Sequence, residues 1–318
     1  MDHDVIILGG GPAGLAAAIY TSRAQLRTLL LEKEIPGGQL NKTTDVENYP
    51  GFEEGIQGPE LMLRMRNQAE RFGTEIEQEE VVDVELDSFE KVVITDVGRH
   101  TAPCIIVATG AGPIELLAKG AREFTGKGLS YCATCDGYFF QGAKLLEIGA
   151  GDSGFTEALF LTRFADELRI VVRHSQDDPH AFRAKDGLLR EKVMNHEKIG
   201  FIWNAEVVEI KGDGHVSSVV LRNLETGEEF EEPVGGVFVN IGHAPATAFL
   251  NGKVEMNERG YLLTDERMRT NIPGMYAAGD ARALAGEYAQ AVIAAGDGCI
   301  AALEVEKYIE DHHDRLAS

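Results

Sequence analysis

Two glycine-rich turns, each behind a short apolar run and ahead of a helical pattern, constrain this chain more than any other feature. The first is Val5-Ile-Ile-Leu8 followed by Gly9-Gly10-Gly11-Pro12-Ala13-Gly14. The second is Leu145-Leu146-Glu147-Ile148 followed by Gly149-Ala150-Gly151-Asp152-Ser153-Gly154. Helical patterns through Arg27 and Phe164 come next, then apolar strands at 28–31 and 168–172. The first glycines lie 149 − 9 = 140 residues apart, too long for a solenoid period and suited to one nucleotide-binding domain following another.

Strand, glycine turn and helix in that order are what a parallel, doubly wound sheet requires. The expected fold class is therefore α/β, with two Rossmann-like three-layer nucleotide-binding domains and the second inserted into the first. Residues 1–117 and 248–318 form the outer domain and 118–247 the inserted one; 318 residues suffice for two cores. Alternating apolar and polar residues predict a small antiparallel sheet over 75–103 and another over 204–233. Apolar strands are expected at 105–108, 237–241 and 275–278, and a last helix over about 289–309.

The glycines of such a turn have separate tasks: a tight bend, close backbone approach to a pyrophosphate, and close helix–strand packing. Phosphate then rests on the free N–H groups at the helix start. Gly9, Gly11, Pro12, Ala13 and Gly14 are thus one cofactor cradle, and Gly149, Gly151, Asp152, Ser153 and Gly154 the other. Glu32, 18 residues beyond Gly14, ends the second strand, where a carboxylate accepts hydrogen bonds from ribose hydroxyls. The same count from Gly154 reaches Val172, followed by Arg173 and His174. Cations there suit a 2′-phosphate, so the second cradle leans toward NADP(H); Asp152 and Asp177-Asp178 pull the other way.

Between the cradles lies Cys132-Ala133-Thr134-Cys135-Asp136. A Cys-x-x-Cys pair serves zinc or redox chemistry about equally well. Zinc needs four ligands, whereas Cys104 and Cys299 are single and distant, so no metal site is expected and the pair reads as a redox dithiol. Asp136 is its candidate proton donor, or else the cap of a following turn. Cys104, Cys299, His243 and Trp203 read as packing residues, and His312-His313 as part of a charged tail.

With 52 acidic and 30 basic residues the net charge is −22, which argues against nucleic acid or an anionic membrane as partner. Met1-Asp2-His3-Asp4 runs straight into a strand with no secretory pattern, and no apolar run approaches the ~20 residues of a membrane span. Four cysteines in such a chain suit a reducing compartment, so a cytoplasmic location is expected.

Further motifs carry a family resemblance: Gly37-Gly38-Gln39-Leu40, Val46-Glu47-Asn48-Tyr49-Pro50-Gly51, Ala108-Thr109-Gly110, Ile241-Gly242-His243-Ala244-Pro245 and Tyr276-Ala-Ala-Gly-Asp280. With the cradles and the Cys132–Asp136 motif, the chain resembles the low-molecular-weight, FAD-dependent thioredoxin reductases over essentially its whole length. The resemblance implies FAD held by the first cradle with Glu32, Gly38, Gln39, Asn48, the backbone near Val81, Thr109, Gly110, Gly279, Asp280, Gln290 and Ala291. It implies NADPH on the inserted domain, with Arg173, His174 and Arg183 near its phosphate.

It further implies a Cys132–Cys135 disulfide, with Cys135 facing the flavin and Cys132 attacking thioredoxin. The inserted domain must then turn between two orientations about crossings near 117–120 and 242–247. A thioredoxin partner and a homodimer follow from the same resemblance. Two departures stand out. The family's His-Arg-Arg followed after three residues by Arg is replaced by Val172-Arg173-His174, with Arg183 arriving late, and Ala289 stands where Arg is usual. NADH, reduced deazaflavin or ferredoxin are therefore alternative donors. A small-molecule dithiol oxidase or a slow flavin-binding redox sensor would carry the same motifs.

Overall fold

In a computed structural model the chain folds into two compact units, residues 1–112 with 244–318, and residues 113–243. The structure describes residues 1–42, 45–182, 184, 186–250, 252–284 and 289–312, without the side chains of Lys42, Asp45 and Cys135. The seams fall five and four residues ahead of the expected 117/118 and 247/248 boundaries.

The first unit is built on a five-stranded parallel sheet. Its spatial order is Met275–Ala277, Cys104–Val107, Val5–Leu8, Thr28–Glu32 and Glu75–Gln78. Val5–Leu8 is buried at every residue, as a strand covered on both faces must be. Alternation divides it: Val5 and Ile7 pack with the helices Pro12–Arg23, Gly58–Arg71 and Ala291–Asp311, whereas Ile6 and Leu8 pack with Val84, Val93 and Ala102. The latter belong to an antiparallel sheet of Val81–Glu85, Lys91–Thr95 and Arg99–Ala102. Residues 75–78, expected there, instead form the edge of the parallel sheet, pairing Leu30 with Ile76.

The second unit repeats the plan. Its parallel sheet runs Leu129–Ser130, Gly236–Val239, Lys144–Ile148, Glu167–Val171 and Ile199–Ile202. One face packs on the helices Asp152–Leu161 and Gly187–Met194, and the other on the antiparallel strands Ala205–Asp213, His215–Asn223 and Glu229–Pro233. The α/β expectation holds in both units, each with three layers.

Both fingerprint helices stop short of their periodic patterns. The first ends at Arg23 because Gln25 adopts a left-handed φ of 62° and the Leu26 N–H turns back to the Thr21 carbonyl. The second ends at Leu161, with the next residues in turns rather than helix to Phe164. The last helix starts two residues later than expected, at Ala291, and extends to Asp311. His243 is exposed rather than packed. Trp203 stacks on Phe201 with centroids 5.0 Å apart, at the end of the parallel sheet.

Candidate active site

The two glycine turns have the same steric design. Gly9 (φ 103°) and Gly149 (φ 137°) sit where only glycine is unstrained, and a Cβ on either would strike the backbone of the adjoining crossover strand, at Ala108 and Asn240 respectively. Gly14 and Gly154 face the carbonyls of Gly9 and Gly149, leaving no room for a side chain between helix and strand. Gly11 and Gly151 face open space. A bend, an open approach and a close packing point thus recur in order, as a pyrophosphate cradle needs.

In the first unit this cradle opens into a cleft. Gly11, Pro12, Ala13, Glu32, Gly38, Gln39, Thr109, Gly110, Gly279, Asp280, Gln290 and Ala291 all line it, drawn from six separate stretches of sequence. Asn48 joins them through its Nδ2, which donates to Gln290 Oε1 at 3.0 Å. Glu32 Oε2 accepts the Gly10 N–H at 2.8 Å, which fixes the carboxylate at the cleft wall. Gly9 and Gly14 shape the turn from behind. Val81 opens the antiparallel sheet and lies outside the cleft lining.

A pair that sequence reasoning missed supports the floor. Arg282 Nη1 and Asp297 Oδ2 form a buried ion pair at 3.0 Å, and Asp297 Oδ2 also accepts the Gly279 N–H at 3.2 Å. Burial outweighs the guanidinium and the hydrogen bonds, and pushes the Asp297 carboxyl up. Nothing in a one-dimensional pattern joins a loop arginine to an acid 15 residues on, inside an apolar helix.

In the second unit Arg173 and His174 meet in an open depression with Ser175, Asp178, Asn204, Leu224 and Glu225. Each side chain already faces a carboxylate: Arg173 Nη2 is 3.2 Å from Glu206 Oε2, and His174 Nδ1 is 2.8 Å from Asp178 Oδ2. The His180 N–H, more than His174, holds Asp178 below the usual carboxylate range. Asp152 Oδ1 accepts the Asp186 N–H at 3.1 Å, and Ser153 follows it in the fingerprint helix. Arg183 lies outside the described residues.

Cys132 precedes the short helix Ala133–Asp136 and is disulfide-bonded, while Cys104 and Cys299 are free thiols. The Cys135 side chain lies outside the described residues. Asp136 does not cap the next turn. Its Oδ2 accepts instead from Ser130 Oγ at 2.6 Å, and Ser130 Oγ accepts the Cys132 N–H at 3.0 Å. Ser130, on the edge strand, is a residue the motif alone did not flag. Tyr138 and Phe139 follow after Gly137 and stand 65% and 78% exposed. Among the described residues no group of three or more His, Cys, Asp or Glu side chains is arranged to hold a metal ion, and no helix is long and apolar enough to cross a membrane.

Cys104 is fully buried in the central sheet, where burial pushes its thiol up to about 12 despite nearby Lys91. Iodoacetamide at pH 8 is therefore expected to leave Cys104 unmodified in the folded protein, since only a fraction on the order of 10⁻⁴ is thiolate. Peptide mass spectrometry checks this; rapid labelling of Cys104 without unfolding contradicts its placement.

Comparison with known proteins now places this fold and site in a class. The sequence matches the pyridine nucleotide-disulphide oxidoreductase family over residues 3–298, and the chain belongs to that family. It is 46% identical over 315 residues to a thioredoxin reductase of Peptoclostridium litorale, covering 97% of this chain and 98% of that protein. Among solved structures, a thioredoxin reductase of Lactococcus lactis matches with a TM-score of 0.77 at 42% identity, covering 97% of this chain and 99% of that one. One of T. acidophilum matches at 0.72 and 36% identity, covering 96% and 98%.

Family membership implies the use of a flavin and a pyridine nucleotide. The residues present fit both groups. Thr109, lining the cleft, has a buried hydroxyl with no hydrogen-bond partner, and the two cradles leave room where a pyrophosphate would approach.

Proposed function

We propose that this enzyme takes two electrons from a pyridine nucleotide through FAD to a Cys132–Cys135 disulfide, and from there to thioredoxin. The observation that carries the reading is the disulfide-bonded Cys132 at the start of a Cys-x-x-Cys helix, in a chain with two pyrophosphate cradles. FAD is favoured over a shorter flavin because Glu32 stands where an adenosine ribose would be read. The cleft residues named above, with Asn48, would hold it. When bound, the flavin supplies the two-electron relay between hydride and disulfide.

The protein's own residues account for the thiol steps. In the reduced enzyme the Cys132 thiolate attacks one sulfur of the target disulfide, forming a mixed disulfide and expelling one target thiolate. Cys135 then attacks Cys132, which re-forms the enzyme disulfide and releases the second thiolate. Each departing thiolate takes up a proton; Asp136, which lies in the motif and accepts from the Ser130 hydroxyl, is the residue proposed to relay it. Tyr138 and Phe139, shortly after the motif in sequence, offer exposed aromatic surface for a protein partner. Val292, Ile293, Ile300 and Leu303 on the last helix are partly exposed, which supports the homodimer expected by resemblance. A cytoplasmic location agrees with thiol chemistry that needs a reducing compartment.

NADPH is the donor expected from sequence, but one observation favours NADH. Arg173 and His174 face Glu206 and Asp178, and Glu225 lines the same depression. Exposed pairs of this kind are individually weak, but a dianionic 2′-phosphate entering there meets three carboxylates that stay nearby. We expect kcat/KM for NADH to exceed that for NADPH by about tenfold, roughly 1.4 kcal/mol. Glu206→Gln should narrow the ratio. Anaerobic bleaching of the yellow holoenzyme by NADH, NADPH, reduced deazaflavin and reduced ferredoxin decides it. Faster bleaching by NADPH overturns the NADH preference, and bleaching by neither nicotinamide overturns the donor class. Steady-state reduction of purified thioredoxin tests the whole reading, and no turnover with any donor would sink it.

A further inference from the structure

Glu147 breaks the rule that a central parallel strand is apolar throughout. It is fully buried between Leu146 and Ile148, and one carboxyl oxygen, Oε2, has no hydrogen-bond partner. Alternation points it to the helix face, where its Oε1 lies against Gly154 of the second cradle. Oε1 accepts from Asn240 Nδ2 at 2.9 Å, and the same Nδ2 donates its other hydrogen to Glu157 Oε2 at 2.7 Å. Glu157 Oε2 in turn accepts the Ala133 N–H at 3.1 Å. A continuous chain therefore runs from the sheet centre to the peptide that joins Cys132 to Ala133.

We propose that Glu157 is a positioning residue for the redox motif, and that Asn240 and the buried acid Glu147 clamp its carboxylate onto the Cys132–Ala133 peptide. The proposal rests on Cys132 being redox-active, as read above. Its consequence is electrostatic. The carboxylate takes up an amide that would otherwise stabilise a thiolate, and it places a negative charge one peptide from the sulfur. Glu157 thus holds the reduced motif toward its thiol form and makes it the stronger reductant, since stabilising the thiolate is what makes such a disulfide oxidising.

Among the described residues, the core packed on this face of the strand is apolar. The helix Asp152–Leu161 contributes Glu157, and the neighbouring strands contribute Leu168, Ile170 and Phe238. Asp136 of the redox helix is engaged by Ser130. Burial first, then the Glu157 charge, push Glu147 well up, against the Asn240 bond. Through its Oε1, Glu147 keeps Asn240 oriented toward Glu157.

Glu157→Gln is the discriminating variant, because one amide oxygen can accept both the Ala133 and Asn240 hydrogens and only the charge is lost. In the reduced flavin-bound enzyme, the pH profile of iodoacetamide alkylation at Cys132 should move to lower pH by about half to one unit, a three- to tenfold gain in acidity. The disulfide–dithiol equilibrium against dithiothreitol buffers should move by a similar factor toward the dithiol. Asn240→Ser should shift both in the same direction by less, and exposed Glu197→Gln should shift neither. Coincident curves for wild type and Glu157→Gln overturn the proposal, and a shift in Glu157→Gln without one in Asn240→Ser removes the clamp from it. A wild-type protein with no reducible Cys132 disulfide overturns instead the functional reading beneath it.

Discussion

Replacing Cys132 with serine is expected to lower thioredoxin reduction by at least about 10³-fold, while the purified protein stays yellow. A serine hydroxyl at neutral pH is neither a leaving group for disulfide exchange nor a nucleophile comparable with a thiolate, and residues that act as one unit lose nearly all activity when one is removed. The cleft proposed to hold the flavin is lined by residues of 1–112 and 244–318, none of them in the motif, so binding of the cofactor should survive. Cys135→Ser should behave alike toward thioredoxin. The measurement pairs the flavin absorbance with steady-state thioredoxin reduction. Activity within tenfold of wild type in either variant would show that the electrons reach thioredoxin by another route.

Asp297→Ala is expected to destabilise the fold by about 3–5 kcal/mol and to weaken flavin retention together with it. Both members of the pair are under one-tenth exposed, so the substitution leaves the Arg282 guanidinium buried without its counter-charge and frees the Gly279 N–H at the cleft floor. Asn at the same position should recover part of the loss, because it still accepts the Gly279 hydrogen bond. The sign of the pH effect follows from the raised carboxyl. A folded pKa above the unfolded value means that Asp297 taken alone favours the folded state at acid pH, and that this contribution fades as pH rises through its folded pKa. Urea unfolding of both variants and wild type, compared at constant slope, checks the order. Equal midpoints for wild type and Asp297→Ala would mean that the pair contributes nothing.

The local devices were the legible part. Each glycine turn shows in one dimension because its constraint is local: three glycines within six residues, a preceding apolar run, and a carboxylate or its replacement a fixed distance on. The Cys132–Asp136 motif is equally local. Helix ends were less legible, since Gln25 in a left-handed conformation and the turn after Leu161 stop helices whose apolar periodicity continues beyond them.

What the sequence determined by itself was the set of parts: two doubly wound units, a Cys-x-x-Cys motif between their glycine turns, and most of the residues that line the first unit's cleft. Each is encoded by spacing along the chain, because strand alternation, helix start and glycine turn act over a few residues. The tertiary structure alone decided which distant groups share a hydrogen bond. It brought Ser130 to Asp136, Arg282 to Asp297, Glu206 to Arg173, and Glu147 through Asn240 and Glu157 to the Cys132–Ala133 peptide. Those pairings depend on strand order and on crossovers up to about a hundred residues long, and no local pattern carries that information.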